Sequence, residues 1–292
     1  MSGRWLCALA LVLLPAWHAL AEPGEPIAGP RGAERWLPAL GVASALNLHS
    51  VEGLAESPQR TRADGEHLKV FAGMEGHLEL LSPVLFSGFG YPRLFVRGGA
   101  GRLWDSVHLT AEGKPGEPRV NLLPNGNQPP VPGVVGQGTG VRTEFSPYFY
   151  TASAGLVFTL PLDERDLRLK PSVEYRRGST QIEGLVGDAV SIAGDPNCPC
   201  ALGLVDRKEQ LPHDMLGAGL ELEVDTQRAG SVMLSLFVST QAYRVLTGRK
   251  LKVAGSGFLD DGITPLDLRA RTFLDEWSFR AGVGLRLRWL PE

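Results

Sequence analysis

Cysteine is nearly missing from this chain: three occur in 292 residues, at positions 7, 198 and 200. So few exclude a disulfide framework and leave too few ligands for a thiolate metal centre. Cys198 and Cys200, in DPNCPCA, are left either as a tight pair strained by Pro199 or as free thiols. A basic excess is missing too. Lysine and arginine number 29 against 32 aspartates and glutamates, a formal charge of -3, which excludes the basic stripe that a nucleic-acid binder needs. After residue 21 no apolar run is long enough for a spanning helix. Any membrane residence must therefore be built from strands.

What the chain has in quantity is glycine and proline, 36 and 22 residues, which suit many turns and irregular connections better than a helical bundle. The opening MSGRWLCALALVLLPAWHALA carries Arg4 as its one charge, then an apolar run interrupted by Pro15, then Ala19-Leu20-Ala21 ahead of Glu22. This is the layout of a secretory signal cleaved after residue 21. Cleavage removes Arg4 and no acid, leaving 28 cations against 32 acids. Residues 22–37 read as an unstructured lead-in, and residues 38–292 as one β-barrel domain.

The barrel reading starts from the C-terminal stretch WSFRAGVGLRLRWL. Trp277, Phe279, Ala281, Val283, Leu285, Leu287 and Trp289 alternate with Ser278, Arg280, Gly282, Gly284, Arg286 and Arg288, the period-2 pattern of a strand with two unlike faces. The same alternation predicts strands over about 40–50, 67–82, 93–104, 143–160, 167–176, 216–225 and 231–246. Apolar residues such as Met74, Leu78, Val96, Leu156, Leu169, Leu222 and Leu236 share one face. Charged residues such as Glu79, Arg97, Lys170 and Glu223 take the other. The joints alternate as well: VLFSGFGYP, PLDERD and TQRAG are short, whereas those beginning near Val51, Asp105, Ile182 and Thr247 are long. Eight strands with short and long joints in strict alternation predict an all-β, single eight-stranded antiparallel up-and-down transmembrane barrel, with short periplasmic turns and long extracellular loops.

Consequences follow for each face. Trp277 and Trp289, twelve residues apart on the apolar face, span about 40 Å at roughly 3.4 Å per residue and so bracket a tilted membrane crossing. Trp104, Tyr148, Tyr150 and Tyr243 are expected at the outer interface and Tyr91 at the inner. The charged faces point into a lumen narrow enough for side chains to fill, where charges must pair. Glu79 is expected near Arg93 and Arg97, and Arg168 and Lys170 level with Glu223 and Asp225. Pro147 and Pro171 each remove a ladder hydrogen bond and belong near strand ends or bulges. The charge-free run from Val120 to Val141 reads as a surface loop without regular structure.

FRAGVGLRLRWL, the signal sequence, and the hairpin-like LELLSP and PRLFVRGGA together resemble the small Gram-negative outer-membrane β-barrels, of the OmpA transmembrane-domain, OmpX and OmpW types, in an uncharacterised proteobacterial form. The resemblance implies residence in the cell outer membrane, contact with its lipid and lipopolysaccharide, and insertion by the barrel assembly machinery, which favours a terminal aromatic. Here Trp289 is followed by Leu290, Pro291 and Glu292, a departure from that pattern.

Function reads first as non-enzymatic, an envelope or surface-interaction role for a monomeric porin-like barrel with a filled lumen. No catalytic, cofactor-binding or metal residues are expected, and no nucleic acid. Two alternatives stand beside it: a narrow channel or binding barrel for a small, apolar solute, and a soluble periplasmic barrel with its apolar faces turned inward. An enzyme acting on membrane lipid needs a hydroxyl nucleophile and a histidine base in reach of each other. His49 and Ser50, adjacent in a strand, face opposite ways. The His-x-Ser pattern that lipid A deacylases carry near the C-terminus is absent. His77, between Glu75 and Glu79, is assigned to the lumen charge network, and His108 and His213 to loops.

Overall fold

The computed structural model describes residues 33–56, 62–87, 89–109, 138–162, 165–191, 199–258 and 265–290. The expected signal sequence, most of the expected lead-in, Cys198 and residues 110–137 of the long joint after β3 lie outside them. Ten strands form one sheet: β1 (Leu37–Glu56), β2 (Arg62–Leu81), β3 (Arg93–Leu109), β4 (Gly138–Phe145), β5 (Tyr148–Leu162), β6 (Arg165–Ser191), β7 (Pro199–Ala229), β8 (Val232–Val245), β9 (Lys250–Phe258) and β10 (Pro265–Trp289). Eight make a closed antiparallel ring, β1-β2-β3-β5-β6-β7-β8-β10, with β10 returning to β1 from Ala39↔Arg288 upward. Closure leaves no edge in the ring, the condition for a sheet in hydrocarbon. Gly230 (φ 59°) opens the two-residue turn that joins Ala229 to Val232.

Alternation sorts the faces as expected. Leu40, Val42, Leu46, Met74, Leu78, Val96, Val173, Leu220, Val238, Phe279 and Val283 are exposed on the outside, Leu78 to 67%. A continuous exposed apolar surface of this kind needs an apolar surrounding. Trp277 and Trp289 both point outward from the two ends of this belt, as do Trp104, Tyr148 and Tyr150. Tyr243 does not. It shares parity with Ser239 and Gln241 and is fully buried, its hydroxyl donating to Glu174.

The expected 143–160 strand is two strands. At Ser146-Pro147, where the proline offers no N–H, the chain steps: β5 pairs with β3 and β6, whereas β4 pairs with β6 alone. Gly138 to Val141, assigned above to an irregular loop, belong to β4. Pro171 sits mid-strand in β6, and pairing with β5 lapses beside it, between Gly155↔Ser172 and Phe158↔Leu169.

The described parts of the other three long joints are also largely strand. β1 and β2 stay paired to Glu56↔Arg62, β6 and β7 to Ser191↔Pro199, and β9 pairs with β10 from Phe273↔Lys250 to Pro265↔Phe258. Above Trp277 the ring splits into two sheets. One holds the upper parts of β2, β1, β10 and β9; the other holds β4 with the upper parts of β6 and β7. They pack on Ala55, Ile182, Val205, Leu251, Val253, Leu266, Leu268 and Ala270. The sheets lie so close that a Cβ on Gly184 would be 2.7 Å from that of Ala270. A β-sandwich thus stands on the long-joint end of the barrel.

Candidate functional site: the charged lumen

The lumen is layered. At the short-turn end Leu37, Leu81, Phe95, Val157, Met233 and Leu290 form an apolar plug. Above it lie five carboxylates, Glu79, Asp166, Glu221, Glu223 and Asp225, among five cations, Arg97, Arg168, Lys170, Arg286 and Arg288. Glu79 reaches Arg97 (2.9 Å), Lys170 (2.8 Å), Arg288 (3.4 Å) and Arg286 (3.5 Å). Glu223 reaches Lys170 (2.6 Å), Arg288 (2.7 Å) and Arg168 (3.0 Å), and also Arg286. Glu221 bridges Arg97 (2.8 Å) and Lys170 (3.2 Å). Asp225 and Asp166 hold Arg168, with Ser235 donating to Asp225 at 2.8 Å.

Several of these bonds cross the lumen between strands that are not neighbours, so the ions brace opposite walls. The expected partners of Arg168 and Lys170 are in place, and so is the expected pairing of Arg97 with Glu79. An isolated buried ion costs several kcal/mol; here Glu79, Glu221 and Glu223 are each shared among several cations, and Asp166 and Asp225 converge on Arg168. The guanidinium of Arg286 also lies 4.4 Å over the Phe237 ring and donates to His77 Nε2 at 3.1 Å, which makes His77 an acceptor.

A second polar layer lies above. Glu75 pairs with Arg280 and accepts from Thr151 at 2.7 Å; Arg176 donates to Asn47 at 2.6 Å and stacks 4.1 Å over Phe149. Glu75, His77 and Glu79 therefore all belong to the charge network. Between the two layers is a cavity, bounded by Glu75, Glu174, Ser239 and Gln241, with about 10 Å³ open to a water centre. That is room for about one water, not for a solute. Phe71, Leu103 and Phe149 close the outer end, with Phe145 of β4 set 4.8 Å from the His49 ring and 5.0 Å from Phe71. Thr143 meets Thr272 at 3.0 Å, which seats β4 against β10 across the mouth.

His213, placed above in a loop, is a buried residue of β7 bonded to Thr180 at 3.2 Å. His108 lies in β3 opposite Lys69. His49 does find a serine, but not Ser50: Ser278 Oγ lies 3.2 Å from its Nε2. The two are 229 residues apart, so no local pattern signals them. Both are buried on the lumen side, and the other contacts of His49 are the Phe71 and Phe145 rings. Among the described residues no carboxylate is bonded to the His49 imidazole. Among the described residues no three His, Cys, Asp or Glu side chains are grouped to hold a metal ion.

Strand order, outward apolar belt and ionic interior together define the class: a closed eight-stranded antiparallel β-barrel of transmembrane type. No protein-family model and no curated protein matches the chain. Among solved structures it is similar to Ail, the attachment invasion locus protein of Yersinia pestis, at 10% identity and a TM-score of 0.25, covering 84% of this chain and 97% of that one. It is also similar to the outer membrane protease OmpT of Escherichia coli, at 9% identity and a TM-score of 0.30, covering 90% and 99%. The translocator domain of the autotransporter NalP from Neisseria meningitidis aligns at 11% identity and a TM-score of 0.21, covering 97% and 95%. Superpositions this loose transfer no residue role, and the fold stands on the strand pairing alone.

Proposed function

We propose that this chain is an integral outer-membrane β-barrel that neither catalyses a reaction nor conducts ions, and whose outer sandwich meets the cell's surroundings. One observation carries the reading: the outward side of the ring is apolar from Trp289 to Trp277, while the inward side is cross-linked by buried ions and plugged at both ends. Such a wall suits lipid, and among the described residues apolar side chains cluster at both ends of the lumen. Its partners are then outer-membrane lipid and lipopolysaccharide, with the barrel assembly machinery during insertion, and it works as a monomer without a cofactor. The decisive experiment reconstitutes the purified protein in planar bilayers after checking heat-modifiable gel mobility and outer-membrane fractionation. Conductance at the noise level is expected. Discrete current steps overturn the closed lumen, and a compact monomer that dissolves without detergent overturns the membrane reading. Lipid A mass spectra unchanged by deletion and by overexpression are expected of a protein that does no lipid chemistry.

A further inference from the structure

In the sandwich sheet built from β2, β1, β10 and β9, strands β10 and β9 turn an exposed outer face directly above the apolar belt. Its β9–β10 half carries Lys250, Lys252, Arg269 and Arg271, all exposed, and the exposed Arg249 immediately precedes β9. Pairing sets Lys252 directly opposite Arg271, and Lys250 opposite Phe273. Like charges face to face across a ladder destabilise a sheet. The Phe273 ring receives Lys250 at 5.6 Å and Arg271 at 5.8 Å, an attraction that supplies no countercharge. Glu56 stands opposite Arg269 and the exposed Glu52 opposite Phe273 across the β1 ladder, and Asp267 and Asp275 flank the patch along β10. The four central cations, Arg249, Lys250, Lys252 and Arg271, make no ion pair among the described residues. Elsewhere around the rim Arg244 is paired with Glu276 (2.5 Å), Lys208 with Glu183 (2.8 Å) and Arg177 with Asp214 (3.9 Å). Lys250, Lys252 and Arg271 thus gather on one face without an ion pair among the described residues, bordered by Glu52 and Glu56 on β1.

Directly beneath it the same face becomes apolar, with Leu246, Trp277 and Phe279 exposed. Phe273 is four residues above Trp277, about 10 Å of height for a strand rising roughly 3.4 Å per residue at a tilt near 40°. Cations at headgroup height above a strip at acyl-chain height fit an amphiphile. We propose that this face docks the phosphate groups of a phosphorylated lipid whose acyl chains lie along the strip beneath. A doubly charged phosphate relieves the Lys252–Arg271 repulsion, and the Arg271 fork engages two of its oxygens at once. The proposal rests on the membrane reading above and gives the lipid contact a place.

The test uses the full chain folded in zwitterionic detergent, titrated with lipid A bearing both phosphates, with its dephosphorylated form, and with inorganic pyrophosphate. Tight binding of the phosphorylated lipid is expected, at least tenfold weaker in K252Q/R271Q and equally weakened by removal of the phosphates, with the paired-rim variant R177Q/K208Q unchanged. A second variant, R249Q/K250Q, is expected to weaken binding as well; heat-modifiable mobility shows that each variant is folded. Equal binding by wild type and both patch variants overturns the proposal. Pyrophosphate binding as tightly as the lipid also overturns it, because the site would then read the anion alone. Failure of the membrane reading is a separate result, seen as wild type that dissolves without detergent.

Discussion

β10 carries two opposite polarities without leaving its strand. From Trp277 to Trp289 its outward residues are apolar and its inward ones are Ser278, Arg280, Gly282, Gly284, Arg286 and Arg288. From Pro265 to Asp275 the buried inward residues are Leu266, Leu268, Ala270, Thr272 and Leu274, with Arg269, Arg271 and Asp275 exposed outside. The inward parity never changes; what changes is which residue type occupies it. The lower half is arranged for hydrocarbon outside, the upper half for water, and the exchange at Leu274–Trp277 marks where one surrounding gives way to the other. Burial alone does not make a core. The same inward position is stabilised by shared ions in one storey and by removal of apolar surface from water in the other.

This contrast can be broken at chosen positions. The largest effect is expected from Glu223→Ala in the lower storey, which leaves Lys170, Arg168, Arg286 and Arg288 short of a carboxylate. Urea unfolding in vesicles should register a loss of about 3–5 kcal/mol. Next, Leu268→Ala empties part of the sandwich core and should cost about 2–4 kcal/mol. The loss should fall mainly on the upper storey: limited proteolysis of the sandwich accelerates while the barrel keeps its heat-modifiable mobility. Loss of both together would mean that the two storeys unfold as one unit. Leu285→Arg, outward at belt height, should destabilise the vesicle-inserted protein by about 2–4 kcal/mol. Arg271→Leu, outward on the same strand but above the belt, should stay within about 0.5 kcal/mol of wild type by the same urea assay. An equal response at 271 and 285 would remove the boundary.

The ring was legible in the sequence because alternating types name its two faces, and the pairs at one depth, Arg168 and Lys170 with Glu223, followed from strand order. Bonds across the lumen, such as Lys170 to Glu79 and Arg97 to Glu221, were not, since nothing local relates residues on opposite walls. The sandwich escaped notice for a physical reason. At Leu274–Trp277 the apolar residues change parity, and a pattern of lipid-facing alternation takes that change for the end of a strand. Tyr243 was misplaced by its type, an aromatic with a polar edge, although its parity with Gln241 points it inward. His213 was missed because β7 runs on above Leu216, where the lipid-facing alternation stops.

The seam between β1 and β10 has a kinetic corollary. Ala39 finds Arg288 only after nearly the whole polypeptide is available, so the cylinder shuts last and by its most distant contact, a slow step on topological grounds. Until that moment the three basic side chains of β10 are absent from the interior, and Glu79, Glu221 and Glu223 repel one another around a gap. The final strand is thus both latch and counter-ion: its arrival completes the wall and neutralises what the other seven have gathered.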